Sequence, residues 1–153
     1  MSNTPNDPFL AEKEYIEPSP MPSDVPHVDE LGATSAPLAS AAYYLGPACR
    51  EYTEDYMLCR SQSGADPAKC LKEGRRVTRC AASVLKQLKE NCGKQFEDHW
   101  KCLSNRNYQY EKCRNEEKPL NNCVFDKMKI EKIIPQADPN DDPVHLKKNP
   151  IYS

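Results

Sequence analysis

The stretch CREYTEDYMLC, residues 49–59, holds two cysteines with nine residues between them, and this spacing returns three times in the 153-residue chain. In an α-helix, ten steps advance the chain by about 15 Å, so the two sulfurs of one pair cannot bond to each other. The same ten steps end about 80° short of three turns, which leaves both cysteines on one broad face. Each pair therefore predicts a helix whose cysteine face meets another helix. The pairs are Cys49 and Cys59, Cys70 and Cys80, Cys92 and Cys102, Cys113 and Cys123.

The segments between the pairs indicate which helices meet. Residues 61–67, Ser-Gln-Ser-Gly-Ala-Asp-Pro, form a loop signature in which Asp66 is the N-cap and Pro67 the first helical position. Residues 104–107, Ser-Asn-Arg-Asn, also favour a turn. In contrast, residues 81–91 consist mostly of helix formers, so the second helix runs on past Cys80.

Two consecutive antiparallel hairpins follow from these connections. The rival grouping would pair the second helix with the third and the first with the fourth, and the helical segment at 81–91 argues against it. The Cα atoms of two bridged cysteines lie about 4.4–6.8 Å apart. Equal cysteine spacing on the two arms of a hairpin allows both bridges to reach this distance. The predicted bridges are Cys49 with Cys80, Cys59 with Cys70, Cys92 with Cys123, and Cys102 with Cys113.

Other cysteine chemistries require spacings that this chain lacks. Structural zinc sites use ligand pairs about two to four residues apart, and redox enzymes use C-x-x-C. Copper delivery by small twin-cysteine proteins uses adjacent cysteines, which are absent here. We expect no metal, no cofactor and no catalytic residue.

The predicted fold is all-α, with two tandem disulfide-stapled helical hairpins and extended arms at both termini. Only 38% of the residues are hydrophobic, and each hairpin is close to the size at which a domain needs disulfides. The predicted segments are an acidic proline-rich arm at 1–34, a short uncharged helix or partner-docking segment at 35–48, a first hairpin at 49–91, a second hairpin at 92–134, and an extended tail at 135–153.

Apolar residues repeat the cysteine face along the helices. We expect a core from Tyr52 and Tyr56 in the first helix, from Val77, Val84 and Leu88 in the second, and from Phe96, His99 and Leu103 in the third. Alternatively, Tyr56 or the neighbouring Trp100 is exposed for a partner. In the fourth helix, Pro119 predicts a kink or a restart. Val124, Met128, Ile133 and Ile134 then extend this helix to Pro135.

The nineteen residues 31–49 carry no charge, yet their prolines, glycines and hydroxyl residues leave too few apolar side chains for a membrane span. Leu38, Ala41, Ala42 and Leu45 instead predict one face of a short helix entered through Pro37. This face packs on the hairpins of the chain itself or docks on a larger partner. Leu38, Ala42, Leu45 and Trp100 are therefore the candidate partner contacts.

Charge is unevenly distributed along the chain. Residues 1–48 hold seven acids and one lysine, whereas residues 49–123 hold fifteen bases and eleven acids. So many interleaved acids argue against nucleic-acid binding. The scattered His27, His99 and His145 are expected to be surface or packing residues rather than ligands. The acidic neighbours Glu116-Glu117 and Asp141-Asp142 are expected to be solvated.

Eight cysteines in a disulfide register require an oxidising compartment. The N-terminal residues lack the apolar core of a secretory signal and are too acidic for a transit peptide. The mitochondrial intermembrane space fits both observations, because small chains are trapped there by oxidation. Tyr56, three residues before Cys59, and Phe96, four after Cys92, are candidate docking residues for the import oxidase.

The residues around the cysteines resemble the PGIV accessory-subunit family of mitochondrial NADH:ubiquinone oxidoreductase, respiratory complex I. The resemblance covers roughly residues 35–153, whereas the proline-rich first 30 residues and Pro119 depart from the pattern. Tandem cysteine pairs alone indicate only the broad coiled-coil-helix-coiled-coil-helix (CHCH) class. The matching residues include Met57-Leu58-Cys59-Arg60, Asp66-Pro67, Cys70-Leu71, Glu73-Gly74, Val77, Cys80-Ala81, Trp100, Cys123-Val124, Asp126-Lys127 and the ending Asn149-Pro150-Ile151-Tyr152-Ser153.

The resemblance implies a non-catalytic subunit, without flavin, iron–sulfur cluster or quinone, on the intermembrane-space face of the membrane arm. Such a subunit is peripheral to the membrane, packs on hydrophobic membrane-arm subunits and other accessory subunits, and supports their assembly and stability. The alternative is a soluble intermembrane-space assembly factor or metal chaperone of the CHCH class.

Overall fold

Four α-helices make up the described part of the chain, which a computed structural model gives for residues 19–64 and 66–147. They are α1 (Ser35–Ala48), α2 (Arg50–Ser63), α3 (Leu71–Asn105) and α4 (Arg114–Met128), with 3-10 turns at Pro67–Cys70 and Tyr110–Lys112. These residues contain no strand, and the predicted all-α class is confirmed. Among the helices in the described ranges, none combines the length and the apolar character that a membrane span requires.

Four disulfides close two helical hairpins. Their S–S distances lie between 1.97 and 2.08 Å, and the bridged Cα atoms are 5.9 to 6.0 Å apart. In each hairpin an inner bridge spans 11 residues and an outer bridge spans 31. The bonded pairs are Cys49–Cys80, Cys59–Cys70, Cys92–Cys123 and Cys102–Cys113, which are the pairs that the spacing predicts.

In each of the four sequence pairs with nine residues between the cysteines, the first cysteine has non-helical backbone angles. Cys49, Cys70, Cys92 and Cys113 have φ between −109° and −132° and ψ between 16° and 31°. All four are buried, whereas their bonded partners lie within helices and are half-buried. Each bridge therefore joins the start of one helix to the interior of another. At Cys92 this geometry bends the 35-residue helix α3, so the chain passes from one hairpin to the next without a loop.

The two hairpins contribute unequally to the core. Residues of α1, of the middle of α3 and of α4 form one buried cluster, whereas α2 has no buried residue. Tyr52 is 41% exposed, so its predicted core position is wrong. The reason is that α2 packs mainly on α3 and leaves its outer side uncovered. The cluster consists of Ala41, Tyr44, Cys49, Val84, Leu88, Cys92, Phe96, Leu120 and Val124.

The turn of the first hairpin has the predicted capping chemistry. The carboxylate of Asp66 accepts a hydrogen bond of 3.0 Å from the backbone N–H of Ala68, and Pro67 opens the 3-10 turn. Gly64 ends α2 with a φ of +65°, a conformation that glycine adopts without a steric penalty.

Helix α4 differs from the sequence prediction in two ways. Pro119 lies within a continuous helix rather than at a kink or restart. It removes one backbone hydrogen bond, and the fully buried Leu120 and Val124 on the inner face offset that loss. The helix also ends at Met128 instead of continuing to Pro135. It ends because Lys129 adopts the left-handed conformation, with φ +57°, and donates its N–H to the carbonyl of Phe125.

The lack of buried residues in α2 predicts that this helix depends on its staples. A 14-residue helix is marginal in water without tertiary packing. We expect the double variant Cys59→Ser/Cys70→Ser to raise amide hydrogen exchange in α2 by at least about tenfold. The matched variant Cys102→Ser/Cys113→Ser should leave the central part of α4 protected, because Leu120 and Val124 still pack. Unchanged protection of α2 in the first variant would contradict this dependence.

Candidate partner interface

Helix α1 lies across the second hairpin, held by polar contacts at its buried face. The hydroxyl of Ser40 is 2.7 Å from Nδ1 of His99 on α3. The hydroxyl of Tyr44 donates a hydrogen bond of 2.5 Å to Oδ1 of Asn121 on α4, and that of Tyr110 donates to the carbonyl of Ala39. The chain itself therefore covers the inner side of α1, which was one of the two alternatives for this segment.

A buried ion cluster lies beneath α1. The carboxylate of Glu117 is 1% exposed and accepts hydrogen bonds from the guanidinium of Arg114 and the ammonium of Lys132. The ammonium of Lys132 also lies 4.2 Å from the ring centroid of Tyr43 and 5.2 Å from that of Tyr110, within the range of cation–π attraction. We call these five residues the Glu117 cluster. It connects α4, α1, the second turn and the segment that follows α4.

The burial of Glu117 corrects the expectation that both acidic neighbours are solvated. Glu117 lies on the inner face of α4, where two cations compensate for its lost hydration. Glu116 is half-buried, and Asp141 and Asp142 are exposed as expected, with Asp141 2.5 Å from the ammonium of Lys147.

The electrostatics of the cluster favour an ionised Glu117. Burial alone would raise the pKa of Glu117, but hydrogen bonds from Lys132 and Arg114 outweigh it and hold this pKa below its usual value. For Lys132, burial lowers the pKa although Glu117 opposes the shift. We take the charged pair as the state at neutral pH, because Arg114 also donates a hydrogen bond to the carboxylate of Glu117.

Two histidines beside the cluster are neutral at physiological pH. Burial lowers the pKa of His99 to about 4, against the opposing effect of Glu117. Burial also lowers the pKa of His145, which lies in the tail and is 6% exposed. Within residues 19–64 and 66–147, neither Nε2 of His99 nor Nδ1 of His145 has a hydrogen-bond partner. Both imidazoles are therefore buried in their neutral form, and His99 keeps its hydrogen bond to Ser40.

The candidate contact residues lie at the rim of the core. Ala42 is exposed, and Leu38, Leu45 and Trp100 are half-buried. Leu45 and Trp100 also pack against the buried cluster. Trp100 further lines a groove of about 840 Å³ between residues 27–33 and helix α3. These positions leave part of each side chain available to a neighbour.

Other apolar side chains are more exposed than the predicted ones. Val144 and Leu146 flank the buried His145, so this part of the tail has one inner and one outer side. Sequence alternation could not have identified them, because it normally predicts that the apolar side chains lie inside. Exposed apolar residues, each between 52% and 63% exposed, include Met57 and Leu58 on α2, Phe125 on α4, Ile133 after α4, and Val144 and Leu146 in the tail.

The two candidate import residues differ in burial in the folded chain. Tyr56 is half-buried, and its ring lies 3.5 Å from the position that a Cβ on Gly74 would occupy. Phe96 is part of the core. The ring of Phe96 is therefore accessible to a partner only before folding, whereas the ring of Tyr56 is partly exposed.

Within the described residues, one group of side chains has its possible metal-ligand atoms close together, namely Cys102, Cys113 and Glu116. The sulfurs of Cys102 and Cys113 are bonded to each other, and metals bind thiolates. This group is therefore a disulfide with a carboxylate next to it.

Two helical hairpins, each closed by an inner and an outer disulfide, define a protein of the CHCH type. No family model matches the chain. The chain is 46% identical over 147 residues to the NADH-ubiquinone oxidoreductase 20.8 kDa subunit of Neurospora crassa, which covers 95% of this chain and 80% of that protein. It therefore belongs to this family of NADH:ubiquinone oxidoreductase subunits.

More distant relatives have related names. NADH dehydrogenase [ubiquinone] 1 alpha subcomplex subunit 8-B of Arabidopsis thaliana is 33% identical over 84 residues, 55% of this chain and 78% of that protein. Subunit 8 of the same subcomplex in Dictyostelium discoideum is 39% identical over 44 residues, 29% of this chain and 42% of that protein.

Removal of the charge on Glu117 should destabilise the protein strongly. The variant Glu117→Gln leaves Arg114 and Lys132 buried without their anion, which should lower the free energy of unfolding by roughly 3–5 kcal/mol. The adjacent Glu116→Gln is the matched control and should change it by less than about 0.5 kcal/mol. Urea denaturation measures both values, and equal effects of the two variants would contradict the structural role of the cluster.

The buried histidines predict loss of stability in acid. Below pH 6.5 the unfolded chain protonates His99, whereas the folded chain does so only near pH 4. The free energy of unfolding should therefore fall between these pH values, by at most about 3 kcal/mol from His99. The variant His99→Gln should flatten this pH dependence in part, because His145 contributes in the same direction. The exposed His27→Gln should retain the full slope, and an identical slope in all three proteins would exclude His99 as a cause.

Proposed function

We propose that the chain is a non-catalytic structural subunit of mitochondrial respiratory complex I, located on the intermembrane-space face of the membrane arm. The observation that carries this proposal is the 46% identity to the Neurospora crassa subunit over 95% of the chain. Within the family we propose that it corresponds to the PGIV subunit, supported by the residues that surround its cysteines.

The structural role is supported by what the polar residues do. The carboxylate, the cations and the phenols of the Glu117 cluster contact one another under α1 and the tail, where they stabilise the packing. An enzyme site would instead present such groups to a substrate. The described part of the molecule is thus a packed block with apolar side chains on its outer surfaces.

The location is supported by the disulfides. Four bridges in 75 residues, from Cys49 to Cys123, require an oxidising environment to form and persist. In a mitochondrial protein, the intermembrane space meets that requirement. We infer that the chain is peripheral and contacts hydrophobic membrane-arm subunits and other accessory subunits.

The contacts that we propose combine the rim of α1 with the outer surfaces of α2 and the tail. Leu38, Ala42 and Leu45 supply the first part, together with the neighbouring Trp100 on α3. Met57 and Leu58 on α2 extend it, and Ile133 supplies an apolar side chain from the segment after α4. A stapled block that presents apolar side chains from several elements is suited to bind between larger neighbours.

Native gel electrophoresis of solubilised mitochondria tests this function. An epitope-tagged chain should co-migrate with the NADH:ubiquinone oxidoreductase activity, and its loss should reduce the amount of assembled membrane arm. A matrix-arm subunit serves as the positive control for the position of the complex. A signal only at low mass would support a free assembly factor or metal chaperone and would overturn the subunit assignment.

We also propose that Tyr56 and Phe96 dock on the import oxidase before the chain folds. Each ring lies close in sequence to a cysteine that must be oxidised. Tyr56→Ala should slow oxidation of the reduced chain in isolated mitochondria several-fold, as measured by thiol alkylation over time. The exposed Tyr52→Ala is the control and should oxidise at the normal rate. Equal rates for both variants would contradict a docking role for Tyr56.

A further inference from the structure

The first half of α3 carries a concentration of positive charge that the packing of the protein does not use. Between residues 72 and 89 there are six basic residues and a single acid, Glu73. The whole chain, in contrast, has a net charge of −2. We call the six residues the basic stripe: Lys72, Arg75, Arg76, Arg79, Lys86 and Lys89.

The basic stripe faces away from the core. Leu88 is fully buried, and Arg79 precedes it by nine residues, which is about two and a half helical turns. Arg79 therefore lies on the opposite side of α3, and Lys86 and Lys72 lie within about 40° of Arg79 by the same geometry. Arg79, Lys86 and Lys89 are exposed.

The N-terminal arm partly neutralises this surface. Asp24 lies 2.6 Å from the ammonium of Lys72, and residues 27–33 run beside the stripe and form one wall of the groove. Lys86 is 3.9 Å from Glu90. Among the residues that the structure describes, Arg75, Arg76, Arg79 and Lys89 have no ion pair. Excess positive charge therefore remains at the surface.

The groove beside the stripe is lined by both charged and apolar residues. Its lining includes apolar residues such as Leu85 and Trp100. The charged lining residues are the basic Arg79, Lys86 and Lys89 and the acidic Asp29, Glu30 and Glu97. Lysine and arginine attract anionic lipid headgroups by about 1 kcal/mol per residue near a membrane surface. Tryptophan is favoured where an apolar surface meets water, at the level of the headgroups. An acidic protein surface would complement the basic residues, but it would not account for the apolar residues of the groove.

We propose that the basic stripe, with the groove at its side, docks on the phosphate headgroups of an anionic phospholipid bilayer. The biological setting rests on the proposed function, since a subunit of a membrane enzyme is within reach of the bilayer. The acidic arm acts as an internal competitor for the stripe. The exposed pair Asp24–Lys72 is 63% and 49% solvent-accessible, and such a pair contributes little stability.

Vesicle flotation with the purified, oxidised full-length chain tests this proposal. The probes are phosphatidylcholine vesicles with and without about 20 mol% cardiolipin, which supplies the anionic phosphates. Binding is expected only to the anionic vesicles. It should be lost between roughly 50 mM and 500 mM salt, because ionic screening weakens contacts between exposed charges.

Charge variants then locate the surface. Arg79→Glu/Lys86→Glu/Lys89→Glu should reduce the partition coefficient at least about tenfold. The control Lys118→Glu/Lys127→Glu/Lys129→Glu makes the same change of net charge on exposed lysines at and beyond α4 and should have a much smaller effect. Asp24→Asn/Asp29→Asn/Glu30→Gln removes the competing acids and should strengthen binding several-fold. Circular dichroism verifies that each variant is helical.

Three outcomes would overturn the proposal. The first is absence of binding to anionic vesicles at low salt, and the second is an equal loss of binding in the stripe and control variants. The third is equal binding to vesicles with and without cardiolipin, which would indicate that the stripe does not recognise anionic phosphate headgroups. None of these outcomes affects co-migration with complex I, so failure here is distinguishable from failure of the proposed function.

Discussion

The four disulfides are the constraint on which the other features of this protein depend. Each bridge contributes roughly 2–4 kcal/mol by restricting the unfolded chain, although the origin of this stabilisation is model-dependent. Their effect is greatest where packing is least. Helix α2 has no buried residue, so two staples and contacts along one side of α3 hold it in place. The same bridges position the first cysteine of each pair at a helix start, which bends α3 and orients the second hairpin.

On that framework, α1 and the tail convert a stapled pair of helices into a packed block. The Glu117 cluster has charges from α4 and from the segment that follows it, covered by the phenol of Tyr43 from α1. Buried ion pairs are costly to desolvate, and their value lies in part in specifying one arrangement. Here the arrangement brings α1 over the second hairpin and leaves α2 and the basic stripe at the surface. A subunit that binds between neighbours needs a fixed core and exposed binding surfaces, and this arrangement supplies both.

The sequence predicted features that follow from local spacing. Equal cysteine spacing and the Asp66-Pro67 start signal suffice to predict the hairpins, because helical rise and bridge length leave few alternatives. The prediction for Pro119 was wrong, since the burial of Leu120 and Val124 is a tertiary effect. The burial of Glu117 was missed for a similar reason. Arg114 lies at helical spacing from it, but Lys132 is fifteen residues away and beyond the helix. Nothing in a short sequence window could indicate this contact.

The central claim is that the chain forms two separately stapled hairpins, and a non-reducing tryptic digest tests it most directly. Cleavage after lysine and arginine places each of the eight cysteines in a different peptide, so mass spectrometry of the linked peptides gives the connectivity. The account predicts four linked pairs, which join Cys49 to Cys80, Cys59 to Cys70, Cys92 to Cys123, and Cys102 to Cys113. A major linked peptide that joins a cysteine of residues 49–80 to one of residues 92–123 would contradict it.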